Sequence, residues 1–227
     1  MRKPAVDYRE FRFSRINEPR FSHVWLLLGW VIYFALYFLT ENLIPAERCH
    51  AMHCRLDDVI PFCEVFIVPY WLWFFLVAGS LLYFFLYDVP SFRRLQIFIM
   101  ITQAVAMAAY ILYPTRQDLR PAVMPRDNVF TAVLRFIYAF DTNTGVCPSL
   151  HVAYSMGIMS TWLKYRGASK GFKAFIVALC VVICLATAFV KQHSVVDIVA
   201  ALPVSALAEA IVFGRDWWRP RLRRLRG

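Results

Sequence analysis

Six long apolar stretches recur from one end of the chain to the other, and nothing else in the sequence limits the fold as tightly. They run Val24–Thr40, Glu64–Tyr87, Ile97–Tyr113, Val152–Leu163, Phe172–Val190 and Val195–Phe213. A helix needs about 20 mostly apolar residues to cross bilayer hydrocarbon. The fourth stretch is short, and we extend its start back to near Ser149. With 60% hydrophobic residues among 227, a soluble domain could not bury so much apolar surface in one core. The pattern predicts an all-α polytopic membrane protein, a six-transmembrane-helix bundle forming a single membrane domain over residues 1–227.

The basic residues set its orientation. The formal charge is +10, and 18 of the 25 Lys and Arg fall in the two termini and in the Asp88–Arg94 and Lys164–Lys173 loops. With six spans these four segments share one side, which the positive-inside rule makes cytoplasmic. Residues 1–22 form a cytoplasmic N-terminal segment, basic and without an apolar core, so the first span itself would direct insertion. Residues 214–227 form a basic cytoplasmic tail. Its Trp217–Arg226 portion reads as an interfacial anchor on anionic lipid. Charge gathered at span ends argues against a nucleic-acid partner. The small loops and the absence of a cleaved leader fit a bacterial inner membrane.

This topology leaves Glu41–Cys63, Pro114–Cys147 and the Lys191–His193 junction outside. The first of these holds Cys49, His50, His53, Cys54 and Cys63. Four ligand-type residues crowded into six positions do not have zinc-finger spacing. An outward-facing loop lies in an oxidising compartment, which favours a disulfide among Cys49, Cys54 and Cys63 over a metal or free thiols. No metal and no cofactor are expected. Cys180 and Cys184 lie in an apolar span as packing residues.

Two short stretches place ionisable groups at the outer ends of spans. Cys147-Pro148-Ser149-Leu150-His151 opens the fourth, with Ser149 as its N-cap and His151 beside the positive end of the helix dipole. Lys191-Gln192-His193-Ser194-Val195-Val196-Asp197 opens the sixth. His193 and Asp197 are four residues apart, so a helix puts them on one face within hydrogen-bonding reach. An Asp within a span is costly without a partner or water. Phosphoryl chemistry accounts for both stretches. Two helix N-termini would cradle an anion, and Asp197 would fix the His193 tautomer so that the other ring nitrogen attacks phosphorus. His151 would protonate the leaving oxygen, while Arg116, Arg120 and Lys191 would neutralise the phosphoryl oxygens.

These residues resemble the type 2 phosphatidic acid phosphatase superfamily, whose pattern is Lys-x6-Arg-Pro, Pro-Ser-Gly-His and Ser-Arg-x5-His-x3-Asp. Arg120-Pro121 fits the first motif; Pro148, Ser149 and His151 fit the second; His193 and Asp197 fit the third. The resemblance spans about Tyr113 to Asp197 in motif and the whole chain in span layout. It implies six membrane helices, no metal, a phosphohistidine on His193 oriented by Asp197, His151 as acid, and Ser149 and Arg120 on phosphate. Tyr113 replaces the first Lys, and Arg116 stands ready to supply that charge. Leu150 replaces the Gly, and Ala186-Thr187 replace Ser-Arg, with Lys191 as the substitute cation. The Ser-Leu-His and Lys-Gln-His runs look like the branch related to inositol phosphorylceramide and sphingomyelin synthases.

The expected activity is that of a lipid-phosphate phosphatase or phosphotransferase, acting on a membrane lipid at the periplasmic or extracellular face. A head-group transferase, in which an alcohol resolves the phosphohistidine, is the alternative. A non-catalytic lipid binder or transporter with a degenerate site is the third reading.

Overall fold

The computed structural model describes residues 3–224, and for Phe140 and residues 215–224 it describes the backbone alone. The expected lipid anchor Trp217–Arg226 therefore lies outside the residues whose side chains are described. The helices are α1 (Leu28–Leu43, entered through a 3-10 stretch Ser22–Leu27), α2 (Arg55–Val59), α3 (Ile67–Tyr87), α4 (Val89–Leu112), α5 (Val129–Phe140), α6 (Leu150–Lys164), α7 (Lys170–Phe189) and α8 (Val195–Arg224). Among the described residues five helices are long and apolar enough to cross a membrane: Ser22–Leu43, Glu64–Tyr87, Val89–Leu112, Lys170–Phe189 and Val195–Gly214.

Two helices differ most from the spans expected. The third begins at Val89 rather than Ile97, so Asp88 alone separates α3 from α4. Pro90 explains this, because proline near a helix start gives up an N–H that would have no partner there anyway. The fourth, α6, has 15 residues. At 1.5 Å per residue it reaches only about 22 Å, short of the roughly 30 Å of hydrocarbon.

Its short length goes with a central place. α6 packs on α3, α4, α7 and α8, and Val152, Ala153, Tyr154, Ile158 and Trp162 are all buried. Gly157 lets α4 come close: a Cβ there would lie 2.5 Å from Phe98 Cδ1, a small-residue contact of the kind that joins membrane helices. The periphery is apolar instead. Val31, Ile32, Phe34 and Phe38 of α1 are each more than half exposed, which suits a helix bathed in lipid and would be an aggregation hazard in water.

Loops at one end of the bundle form a cap. Strand β1 (His50–Ala51) pairs in parallel with β2 (Thr115–Arg116), and Arg116 bridges to Thr144. Helix α5 lies in the Pro114–Cys147 segment expected outside the membrane. Asn128 and Thr131 close a reciprocal capping box at its start. Its Leu134 and Ile137 then pack against Ile67, Tyr70, Ala186 and Val190, so the cap is bolted to α3 and α7.

The expected disulfide is corrected: Cys49, Cys54 and Cys63 are free thiols. Each is held by a different local demand. Cys49 is buried and its thiol donates to the Pro45 carbonyl at 3.7 Å. Cys54 is the N-cap of α2, and its sulfur faces the Asp57 N–H. Cys63 caps the 3-10 turn leading into α3. The neighbouring histidines also diverge. His50 stacks on Tyr113 with ring centres 4.1 Å apart, and His53 Nε2 meets Asp58 Oδ1 at 2.8 Å.

Candidate active site

The N-terminal turns of α6 and α8 meet beneath this cap. Ser149 starts α6 as the sequence predicts, its Oγ accepting the Val152 N–H at 3.5 Å. Its own N–H donates to the Asp197 carbonyl at 3.1 Å, stitching α6 directly to the first turn of α8. Tyr110 of α4 donates to the Pro148 carbonyl at 2.8 Å. Trp73 of α3 donates its indole N–H to the His151 carbonyl at 3.1 Å, and its ring lies 4.1 Å from the imidazole. Tyr70 lines another side of that imidazole at 4.6 Å. The His151 ring is thus set by aromatic packing, with its backbone held from α3.

The turn from α7 into α8 is tight. Lys191 adopts φ 54°, a left-handed conformation uncommon for a residue with a side chain. This folds the chain so that the N–H groups of Gln192 and His193 both reach the Thr187 carbonyl, at 3.0 and 3.1 Å. His193 Nδ1 then lies 3.3 Å from Asp197 Oδ2, and His193 Nε2 lies 3.4 Å from His151 Nδ1. The carboxylate is fully buried, and the same Oδ2 accepts the Ser194 N–H at 2.9 Å. The partners dictate the protons: an acceptor-only carboxylate requires Nδ1–H on His193, which leaves Nε2 with a lone pair facing His151.

A second group of polar side chains borders the histidines. Asp141, at the end of α5, accepts hydrogen bonds on Oδ2 from Gln192 Nε2 at 2.9 Å and the Tyr70 hydroxyl at 3.1 Å. Burial raises its carboxyl above the ordinary range, against the opposing hydrogen bonds from Tyr70 and Gln192. Cys147, half-buried ahead of α6, has its thiol pushed up to about 12 by burial and by Asp197, so it stays protonated. The sequence reading missed Asp141, Tyr70 and Trp73. Asp141 had a signal, as an acid just beyond an apolar segment, but the aromatics are indistinguishable from core residues in a single sequence.

The cations expected on phosphate are placed otherwise. The Lys191 ammonium donates to the carbonyls of Asp57 and Ile60 at 2.8 and 2.6 Å. Arg116 donates to the Ala46 carbonyl at 2.9 Å and to Asp118 at 3.1 Å. Arg120 gathers the carbonyls of Tyr138, Asp141 and Thr142 at 2.8–3.1 Å and lies over the Tyr138 ring. The physical reason is common to all three: the cap has carbonyls without ladder partners, and long cationic side chains satisfy them. Arg120 alone stays coupled to the site, through Asp141 and Tyr70.

A further expectation needs correction. The start of α8 is not an open anion site, because Asp57 of α2 fills it. Its Oδ1 accepts the Val195 N–H at 2.8 Å and its Oδ2 the Ser194 hydroxyl at 2.6 Å. Ser194 Oγ covers the Val196 N–H at 3.1 Å. The start of α6 differs. The N–H groups of Leu150 and His151 have no helical carbonyl behind them, as at any helix start, and Ser149 Oγ takes Val152 alone. Beside them, four buried polar atoms have no partner among the described residues: His151 Nε2, Asp197 Oδ1, Gln192 Oε1 and Arg120 Nε. Orphaned buried groups cost about 1–3 kcal/mol each, and gathered here they mark a place that a polar ligand or water would complete.

The fold and site thus define a helical protein with membrane-length apolar helices and a buried carboxylate–imidazole–imidazole relay at one end. Comparison of the chain with known protein families, with characterised proteins and with solved structures yields no significant match.

Proposed function

We propose that this chain is an integral membrane enzyme that transfers a phosphoryl group from a lipid phosphate through a covalent phosphohistidine on His193. The observation that carries the reading is the relay itself, Asp197 to His193 at 3.3 Å and His193 to His151 at 3.4 Å. Asp197 holds Nδ1–H, so the Nε2 lone pair points out as nucleophile, and the buried carboxylate stabilises the imidazolium charge that develops on attack. The P–O bond to the leaving group breaks as the P–N bond forms, and His151 delivers a proton to the departing oxygen. In the second step a hydroxyl attacks phosphorus, His151 takes its proton, and the P–N bond breaks to return neutral His193. An in-line displacement puts phosphorus beside Nε2, so entry of substrate must open the 3.4 Å contact between the two rings.

The N–H groups of Leu150 and His151, aided by the α6 dipole, supply the anion cradle in this reading. Arg120, beside Asp141 and Tyr70, supplies a guanidinium. Gln192 Oε1 and the Asp141 carboxylate are acceptors, and a phosphate dianion offers them no proton. They suit the incoming hydroxyl instead, which favours keeping both water and an alcohol as second substrates. Formation of free phosphate marks the phosphatase, and formation of a phosphodiester marks the head-group transferase.

The reading places the site at the outer boundary of a bacterial inner membrane, with both termini cytoplasmic and α6 as the fourth of six spans. A helix of about 22 Å serves as a span when neighbouring helices shield the irregular backbone that completes the crossing. The resemblance to the type 2 phosphatidic acid phosphatases supports the same arrangement. The topology is tested by placing a single cysteine at Lys170, exposed at the start of α7, in a chain whose six own cysteines are changed to alanine, and labelling intact cells or sealed vesicles. We expect labelling from the cytoplasmic side only, and labelling from outside would reverse the orientation.

A further inference from the structure

The first turn of α8 carries both His193 and Asp197, yet its position is fixed from far away in sequence. Asp57 sits on α2, in the loop between the first two long helices. It is 3% exposed, and both of its oxygens are used. Oδ1 takes the Val195 N–H at 2.8 Å, while Oδ2 takes the Ser194 hydroxyl at 2.6 Å and the Cys54 N–H at 2.8 Å. The carbonyl of Asp57 meanwhile accepts from Lys191 Nζ at 2.8 Å. One residue of α2 thus grips the chain on both sides of His193, at Lys191 before it and at Ser194 and Val195 after it.

These bonds hold against a cost. Burial works to raise the Asp57 carboxyl, but the hydrogen bonds from Ser194, Val195 and Cys54 outweigh it and keep the group below the usual range. A carboxylate at a helix N-terminus also offsets the positive end of the dipole. The left-handed Lys191 needs such a restraint, since its conformation persists only where the surroundings over-determine it. Other bonds hold the turn as well, from Gln192 and His193 to the Thr187 carbonyl, from Lys191 to the Ile60 carbonyl and from Gln192 to Asp141, but the bond from the Val195 N–H is made to Asp57.

We infer that Asp57 is a positioning residue for the nucleophile: α2 clamps the 191–195 turn so that the His193 ring presents Nε2 to phosphorus. This rests on the phosphoryl-transfer reading of the site and extends it to a loop outside all the matched motifs. The clamp needs a charged acceptor at both oxygens, so an isosteric amide, which offers one acceptor and one donor, is its sharpest probe.

The test uses the full chain purified in lipid nanodiscs, with Asp57→Asn and, as a milder second variant, Ser194→Ala. Asp57→Asn is expected to lower kcat about 10- to 100-fold, the loss of a charge-assisted hydrogen bond, with KM changed by less than about twofold. Amide exchange at Ser194–Asp197 should quicken in the same protein. Ser194→Ala should show the same split between kcat and KM at a smaller size, and it keeps the test open if Asp57→Asn fails to fold. A parental protein that turns over lipid phosphate, with both folded variants at the parental kcat, overturns the clamp and leaves the proposed function intact. So does a fall in kcat that comes with a lower melting temperature and no change in exchange at 194–197, which would make Asp57 merely structural. A parental protein inactive on every lipid phosphate and diphosphate tested, yet with exchange at 194–197 quickened by Asp57→Asn, overturns the proposed function while the physical clamp stands.

Discussion

His193→Ala is expected to leave turnover of lipid phosphate at background. In the proposed mechanism Nε2 is the atom that bonds to phosphorus, and the groups described beside it are poor replacements. His151 faces it at 3.4 Å, but among the described residues no carboxylate bonds to the His151 ring. Cys147 is a thiol held protonated by burial and by Asp197. Losses of about 10⁴-fold or more are usual when a covalent nucleophile is removed, because the remaining groups can only bind and polarise. The substitution should be gentle on the fold. His193 bonds through its backbone N–H to Thr187, and alanine keeps that bond. Phosphate release measured on folded, monodisperse protein checks this. A folded His193→Ala protein working at the parental rate would remove the covalent mechanism.

The second large effect belongs to Asp197 and separates it from His151. Asp197→Asn keeps an oxygen for the His193 Nδ1–H and the Ser194 N–H, so geometry is largely retained and the charge is lost. The developing imidazolium then has no buried counter-charge, which we expect to cost about 10³- to 10⁴-fold in kcat, by analogy with triad aspartates. That loss should be nearly independent of the leaving group. His151→Ala should behave differently. It should be severe with a lipid alkoxide, which must be protonated to depart, and mild with nitrophenolate, which departs without a proton. Rates of each variant on a lipid phosphate and on nitrophenyl phosphate give the comparison. Equal losses for both leaving groups in His151→Ala would make it a structural residue and strip it of the acid role.

Much of this was legible in the sequence because it is local. Apolar run length gave the five long helices, the four-residue spacing of His193 and Asp197 put them on one helix face, and Ser149 announced the start of α6. The capping box of Asn128 and Thr131 was equally local, and α5 could have been read from it. The remainder depends on contacts between distant segments. Asp57 and Ser194 are 137 positions apart, and an acid in a polar loop carries no sign of its partner. Lys191 and Arg116 show the converse. Basic residues near a phosphate motif read as phosphate ligands, while the fold uses them to satisfy carbonyls in the cap. The length of α6 was ambiguous for a related reason: a helix shielded by four neighbours needs no uniformly apolar surface, so hydropathy blurs its ends.

The central claim is a phosphorus–nitrogen bond on His193, and trapping that bond tests it most directly. Purified protein mixed with a lipid carrying labelled phosphate, quenched within one turnover in alkali and digested, should yield a single labelled peptide containing His193. The label should be stable in base and lost in acid, as a phosphoramidate is. It should be absent from His193→Ala and should accumulate in a His151→Ala protein given a good leaving group, where the second step lacks its base. Turnover at the full rate with no phosphate on the protein at any time, or with the label on another residue, would contradict the account.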